Sequence, residues 1–194
     1  WVCGNISSGD GGGMAHFGFS YGGDISHNWI LFNQSNNPTL PTYGGGIIAQ
    51  GVPPDGTFCE NSPVDIDCAP QLSDGVGPDL TIDGNLIVGN TAESGKGGGL
   101  RLQNINGTDV QRSPNNRNAW YAVSVTNNII ANNVAGWAGG GVSLQDAVRV
   151  SFINNTVISN DSTSSAGVLF NTALAAQANV GPPNCTTVGA NTTC

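Results

Sequence analysis

Charge is what this chain has least of. Its 194 residues carry five Lys or Arg against thirteen Asp or Glu, a formal net charge of −8. Five cations are too few to neutralise a phosphate backbone, a polyuronic acid or an anionic lipid surface, so nucleic acid and acidic glycans are excluded as partners. Long solvated helices are excluded as well, because their outer faces need Glu and Lys, and so is disorder, which pairs low hydrophobicity with high net charge. No apolar run reaches the roughly 18 residues of a membrane-crossing helix. What the chain does have is 29 Gly, 24 Asn, 10 Pro and a hydrophobic fraction of 38%. That is enough for the core of one domain, and the balance reads as all-β.

The chain opens at Trp1 without a basic and then apolar leader, as expected of a mature or excised fragment from which any secretion signal has been removed. Cysteine usage points the same way. Cys59 and Cys68, then Cys185 and Cys194, form two pairs at the same nine-residue spacing, each bracketing a polar stretch, and Cys3 is left over. Local pairing would stabilise by about 3 kcal/mol per loop in the chain-entropy model and suits an oxidising compartment. Free thiols are the alternative, since spacing does not prove connectivity. Neither pair has the spacing of a zinc knuckle. Sequons at Asn5, Asn33, Asn106, Asn154, Asn160, Asn184 and Asn191 permit glycosylation in a secreted chain, although an Asn-rich sequence produces many by chance.

Internal repetition carries the fold. Two asparagines five residues apart occur four times, as Asn28/Asn33, Asn85/Asn90, Asn128/Asn133 and Asn155/Asn160. Two residues after the first Asn stand Ile30, Ile87, Ile130 and Val157, and three before it Ile25, Ile82, Val125 and Phe152. A glycine triplet follows at 44–46, 97–99 and 139–141, degenerating to Ser165-Ala166-Gly167, and each opens a short alternation such as Leu100/Leu102. Val2, Asn5 and Gly11–Gly13 fit the same frame as a half-copy, so the chain begins in mid-repeat. One repeat is three short strands that cannot bury their apolar residues alone, which predicts a solenoid whose equivalent residues stack about 4.8 Å apart. Like aliphatics then form core columns, and like asparagines can form an amide ladder while tolerating left-handed turns.

Successive triplets stand 33, 53, 42 and 26 residues apart. The longer copies hold insertions, 50–77 with its cysteine pair and acids and 104–119 with Arg112 and Arg117. Both follow the strand after a triplet, so they project from one edge.

The run from Thr126 to Leu144, TNNIIANNVAGWAGGGVSL, with its copies around Asn85 and Asn155, resembles the right-handed parallel β-helix proteins. It is especially similar to the polymorphic outer membrane protein type of repeat, although GGG[ILV] stands where GGA[IV] is commoner and no autotransporter barrel is present. The resemblance covers about 2–170 and implies a secreted or surface-exposed passenger, often adhesive or structural. The expected fold is therefore an all-β, right-handed parallel β-helix solenoid of about four coils over 1–170, with 171–194 as a cap or tail.

Enzymatic chemistry finds little support. A uronate lyase needs a calcium-binding carboxylate cluster beside a basic residue, but Arg101 and Arg149 fall on different coils. The NTD, paired DD and GHG signatures of polygalacturonase-type hydrolases are missing. Asp79 and Asp83 with Asp146 form a conceivable carboxylate pair that no repeat register supports. Asp65 and Asp67 could join Asp55 or Asp74 around a calcium ion, against the simpler account of a solvated acidic loop; no other cofactor is expected. His16 and His27 are too few for a metal site. Trp120 and Trp137, with Tyr43 and Tyr121, could stack on sugar rings or simply cover coil edges.

In the strand after the first Asn both faces are apolar, with Trp29/Leu31, Leu86/Val88, Ile129/Ala131 and Ile158 on the outer side in register with Cys3. Such strands are covered on both faces, so the tail, a neighbouring chain or a further domain should pack outside. The expected function is an extracellular structural or adhesive β-helix, self-associating or part of a larger surface protein or fibre. The alternative is a β-helix that binds or cleaves neutral glycans through its inserted loops.

Overall fold

A computed structural model describes residues 1–52 and 73–163, together with the backbone of two short strands at 186–188 and 191–193. Cys59, Cys68, Cys185, Cys194, Asp65, Asp67 and Asn184 lie outside the described residues, and Asn191 is described only as backbone.

The first residues form β1 (Val2–Cys3), β2 (Ile6–Ser7) and β3 (Met14–Phe17). Three full turns of four strands follow. The first turn holds β4 (Asp24–Ser26), β5 (Trp29–Leu31), β6 (Gln34–Ser35) and β7 (Ile47–Gln50). The second holds β8 (Leu80–Asp83), β9 (Leu86–Val88), β10 (Thr91–Ala92) and β11 (Leu100–Gln103). The third holds β12 (Val123–Thr126), β13 (Ile129–Ala131), β14 (Val134–Ala135) and β15 (Val142–Gln145). Then come β16 (Val150–Ile153), β17 (Thr156–Ile158) and β18 (Asp161–Ser162).

Equivalent strands pair in parallel, giving sheet 1 (β4-β8-β12-β16), sheet 2 (β1-β5-β9-β13-β17), sheet 3 (β2-β6-β10-β14-β18) and sheet 4 (β3-β7-β11-β15). The chain is a parallel β-helix solenoid. A turn has four strands rather than the three expected from sequence. Sheet 3 was the one missed, because two residues such as Gln34–Ser35 are too short to show a period of two. Strands β19 (Thr186–Val188) and β20 (Asn191–Thr193) pair antiparallel, outside the repeat pattern.

Register makes the core. Val2, Ile30, Ile87, Ile130 and Val157 stand in one file along sheet 2, and Ile25, Ile82, Val125 and Phe152 in another along sheet 1. Ile30, Ile87 and Ile130 are completely buried. Each side chain meets its own kind from the turns above and below, so a strand of three residues is stabilised by neighbours rather than by its own length.

Both predicted amide ladders form. Asn28, Asn85, Asn128 and Asn155 stack at the corner between sheets 1 and 2. Asn5, Asn33, Asn90, Asn133 and Asn160 stack between sheets 2 and 3. Asn90 is fully satisfied: its Oδ1 accepts from the Asn33 backbone N–H and from Asn33 Nδ2, both at 2.9 Å. Its Nδ2 donates to Ile30 O at 2.8 Å and to Asn133 Oδ1 at 3.0 Å. The left-handed turn that these asparagines were expected to supply belongs instead to the residue before each one, for example Asn127 at φ 56° and Gly89 at φ 68°.

The glycine triplets serve three separate needs. The first member is left-handed, as in Gly97 at φ 76°. A Cβ on the second would overlap the backbone of the adjoining turn, in Gly98 the Val134 carbonyl. On the third it would press on the ladder, in Gly99 at 2.9 Å from Asn133 Nδ2. No side chain fits the last two sites, whatever its torsional preference.

The second insertion, 104–119, runs between β11 of sheet 4 and β12 of sheet 1; of the first, 53–72 lie outside the described residues. In the second, a short helix α1 (Thr108–Arg112) and a 3-10 turn (Arg117–Ala119) are pinned by the buried Asp109. Its carboxylate accepts from Gly107 N at 2.6 Å, Tyr121 N at 2.6 Å and Asn106 Nδ2 at 2.9 Å.

Because Asn90→Ala strips partners from buried groups on two turns, it should lower unfolding stability by about 3 kcal/mol, whereas Asn115→Ala in the exposed loop should change it by less than about 0.5 kcal/mol. Urea unfolding followed by circular dichroism measures both, and equal midpoints for the two variants would refute the ladder's role.

Candidate functional site

The four sheets share one inner pattern and differ outside. Sheet 1 turns polar groups outward, among them Asp24, Thr81, Asp83, Ser124 and Thr126. Sheet 3 presents Gln34, Thr91 and Asp161. Sheet 4 presents Gln50, Arg101 and Gln103, all buried. Ile6 and Val134 also face outward on sheet 3, and Phe17 and Ile48 on sheet 4, but sheet 2 presents the most extended apolar surface. One outward file holds Trp29, Leu86, Ile129 and Thr156, and the next Cys3, Leu31, Val88, Ala131 and Ile158. No charged side chain interrupts either file.

The sequence predicts that this face is covered. Among the described residues it remains open: Trp29 is 45% exposed, Ile129 46% and Ile158 57%. Trp1 extends the surface by stacking on Trp29, with ring centroids 4.5 Å apart and planes inclined by 24°. Phe32 extends it at the other border. That residue is 64% exposed and holds φ 54°, a left-handed conformation costing an aromatic residue about 1 kcal/mol or more. Its ring lies over Gly89, where a Cβ would stand 2.6 Å from two ring atoms. An exposed aromatic held in strained backbone beside an apolar face marks this side of the solenoid as more than packing surface.

No protein-family model, curated protein or solved structure matches the chain.

The other candidates are dispersed. Arg101, weighed above as a base beside carboxylates, is 1% exposed on sheet 4. Its guanidinium donates to Gln103 Oε1 at 3.1 and 2.8 Å, to Ser143 Oγ at 2.6 Å and to Gln145 Oε1, and it lies 5.2 Å from the Tyr43 ring centroid. Arg149 donates to the Asn118 and Trp120 carbonyls. Trp120, half-buried, donates its indole N–H to Ser113 O at 2.8 Å inside the second insertion. Trp137 sits at the corner between sheets 3 and 4, with Lys96 Nζ 4.7 Å from its ring centroid. The two tryptophans thus belong to different corners and do not form one sugar-stacking platform. His16 faces inward, 3.4 Å from Ser20 Oγ, and His27 occupies the left-handed corner before Asn28. Among the described residues no three His, Cys, Asp or Glu side chains group closely enough to hold a metal ion.

Asp83 pairs with a hydroxyl and an amide rather than a second carboxylate. Thr126 Oγ1 donates to it at 2.6 Å and Asn127 Nδ2 at 2.8 Å, and these bonds, helped by His27, hold its carboxyl below the ordinary carboxylate value. Asp146 lies beyond β15 at the turn on which Ile105 rests. Burial, followed by the Asp109 charge, pushes the Tyr121 hydroxyl upward.

A depressed folded-state value means that the Asp83 contribution is complete above the unfolded value of 3.8 and disappears as pH falls through the lowered folded one. Melting curves taken from about pH 5 down to about pH 2 should therefore show a shallower acid loss for Asp83→Asn than for the wild type; parallel curves would contradict the assignment.

Proposed function

We propose that this chain is a structural or adhesive element of an extracellular or cell-surface assembly, and that it associates side by side with further copies of itself through the outer face of sheet 2. The observation that carries this reading is the charge-free outer face of sheet 2, apolar at every position but Thr156 and the most extended apolar face among the described residues. A net charge of −8 makes copies of the chain repel one another, and contact through the sheet 2 face adds no desolvated charge to that repulsion. The resemblance of the repeats to polymorphic outer membrane protein passengers supports the surface setting.

Size sets the strength. Five strands at about 4.8 Å and three residues at about 3.3 Å give a face of about 24 by 10 Å, near a third of the ~800 Å² per partner in a stable complex. One such contact is weak, and it becomes durable only when repeated along a surface or fibre.

Ile129→Lys places a charge on the exposed face while leaving the inward Ile130 file intact. Sedimentation velocity should show concentration-dependent association of the wild type that this variant loses, with an unchanged far-ultraviolet spectrum. A wild type that stays monomeric at every concentration would sink the proposal. Oxidising the concentrated protein should also give a covalent dimer absent from Cys3→Ser. Phe32→Asn, which suits left-handed backbone, should raise stability by up to about 1 kcal/mol and weaken association, separating the cost of the aromatic from its use.

A further inference from the structure

Five of the seven sequons fall among the described residues, and the fold treats them unequally. N-linked modification needs a side-chain amide nitrogen that can point into solvent with a bulky substituent. Asn33 is 1% exposed, and its Nδ2 donates to Val2 O and to Asn90 Oδ1, both at 2.9 Å. Asn106 is buried against the second insertion, its Nδ2 donating to Asp109 Oδ2 and Tyr121 O, both at 2.9 Å. Asn160 Nδ2 donates to Ile130 O at 2.8 Å and Ile158 O at 3.0 Å, and Asn5 Nδ2 donates to Asn33 Oδ1 at 2.8 Å. All four are members of a ladder or of the Asp109 staple, where a sugar on Nδ2 would displace a hydrogen bond that holds the fold.

Asn154 differs on every count. It occupies the left-handed corner between sheets 1 and 2 at φ 56°, it is exposed, and its amide makes no hydrogen bond among the described residues. The adjacent Asn155 is the ladder member, so the corner presents Asn154 outward by construction. Thr156, the hydroxyl residue of the sequon, faces outward at the start of β17 and is exposed too.

We propose that Asn154 is an N-glycan acceptor of this chain, and that the folded solenoid is incompatible with a glycan on Asn5, Asn33, Asn106 or Asn160. The donor class is an oligosaccharide on a polyprenyl diphosphate. Asn154 Nδ2 bonds to the anomeric carbon, the bond from that carbon to the diphosphate oxygen breaks, the polyprenyl diphosphate leaves, and Nδ2 gives up one proton; nothing is oxidised or reduced. Transfer precedes folding, so a buried asparagine modified on the nascent chain yields a molecule that does not fold, and the selection is read in the folded fraction.

The natural occurrence of this glycan rests on the extracellular setting proposed above, but the test supplies that setting and so examines only the acceptor. The full chain is secreted from N-glycosylating eukaryotic cells behind an added signal peptide, the folded fraction is isolated by size exclusion, and occupancy is assigned site by site by glycopeptide mass spectrometry. Asn154 should be occupied in most molecules, with no glycan on Asn33 or Asn106. Both Asn154→Gln and Thr156→Val, the latter sparing the left-handed corner, should remove that glycan from the folded protein. A folded fraction bare at Asn154, or one bearing glycan on Asn5, Asn33, Asn106 or Asn160, would overturn the proposal.

Discussion

An asparagine amide that bonds both to its counterpart one turn away and to that turn's backbone is the interaction on which the solenoid depends. Each ladder link uses one side chain to satisfy two donors and two acceptors at a corner, as at Asn90, adding to the backbone hydrogen bonds that join the turns there. It also fixes register. A slip by one residue would move every aliphatic of that turn to the outer face and break both ladders together. Strands of two to four residues, far below the length that is stable alone, persist because their register is set at the corners.

That constraint explains the composition. Ladder corners demand Asn, the turn before them demands left-handed backbone, and the close approach beside sheet 4 demands glycine without Cβ. These three requirements, repeated every turn, account for an unusual share of Asn and Gly and leave few positions for charge. They leave the outward positions unconstrained. The outer faces could have been uniformly polar, and sheet 1 is nearly so. Sheet 2 departs from the pattern, and a strained Phe32 beside it shows stability spent where the core gains nothing.

Much of this was legible beforehand. The Ile30, Ile87, Ile130 and Val157 file, both ladders, the glycine corners and the doubly apolar strand all follow from spacing, because a stacked repeat converts sequence period directly into spatial neighbours. The two-residue strands of sheet 3 escaped notice because alternation needs more residues to be seen. Sequence places Arg101 on a different coil from Arg149 but says nothing of its burial. Its burial depends on Ser143, Gln145 and Tyr43, 42 and more residues away, and on sheet 4 being covered, neither of which has a local signature.

Sequence alone therefore determined the solenoid, its register and the order of turns, though not the fourth strand of each turn, since each repeat unit has only like units to stack on. Tertiary structure decided which side chains are spent on the fold and which are left over. The same residue type is a structural strut at Asn33 and a free surface amide at Asn154, and one tryptophan is tied into a loop at position 120 while another lies open at position 29. The physical reason is that satisfaction of a polar group and exposure of an apolar one depend on atoms brought from the adjoining turn, which the residue's own neighbours in the chain do not specify.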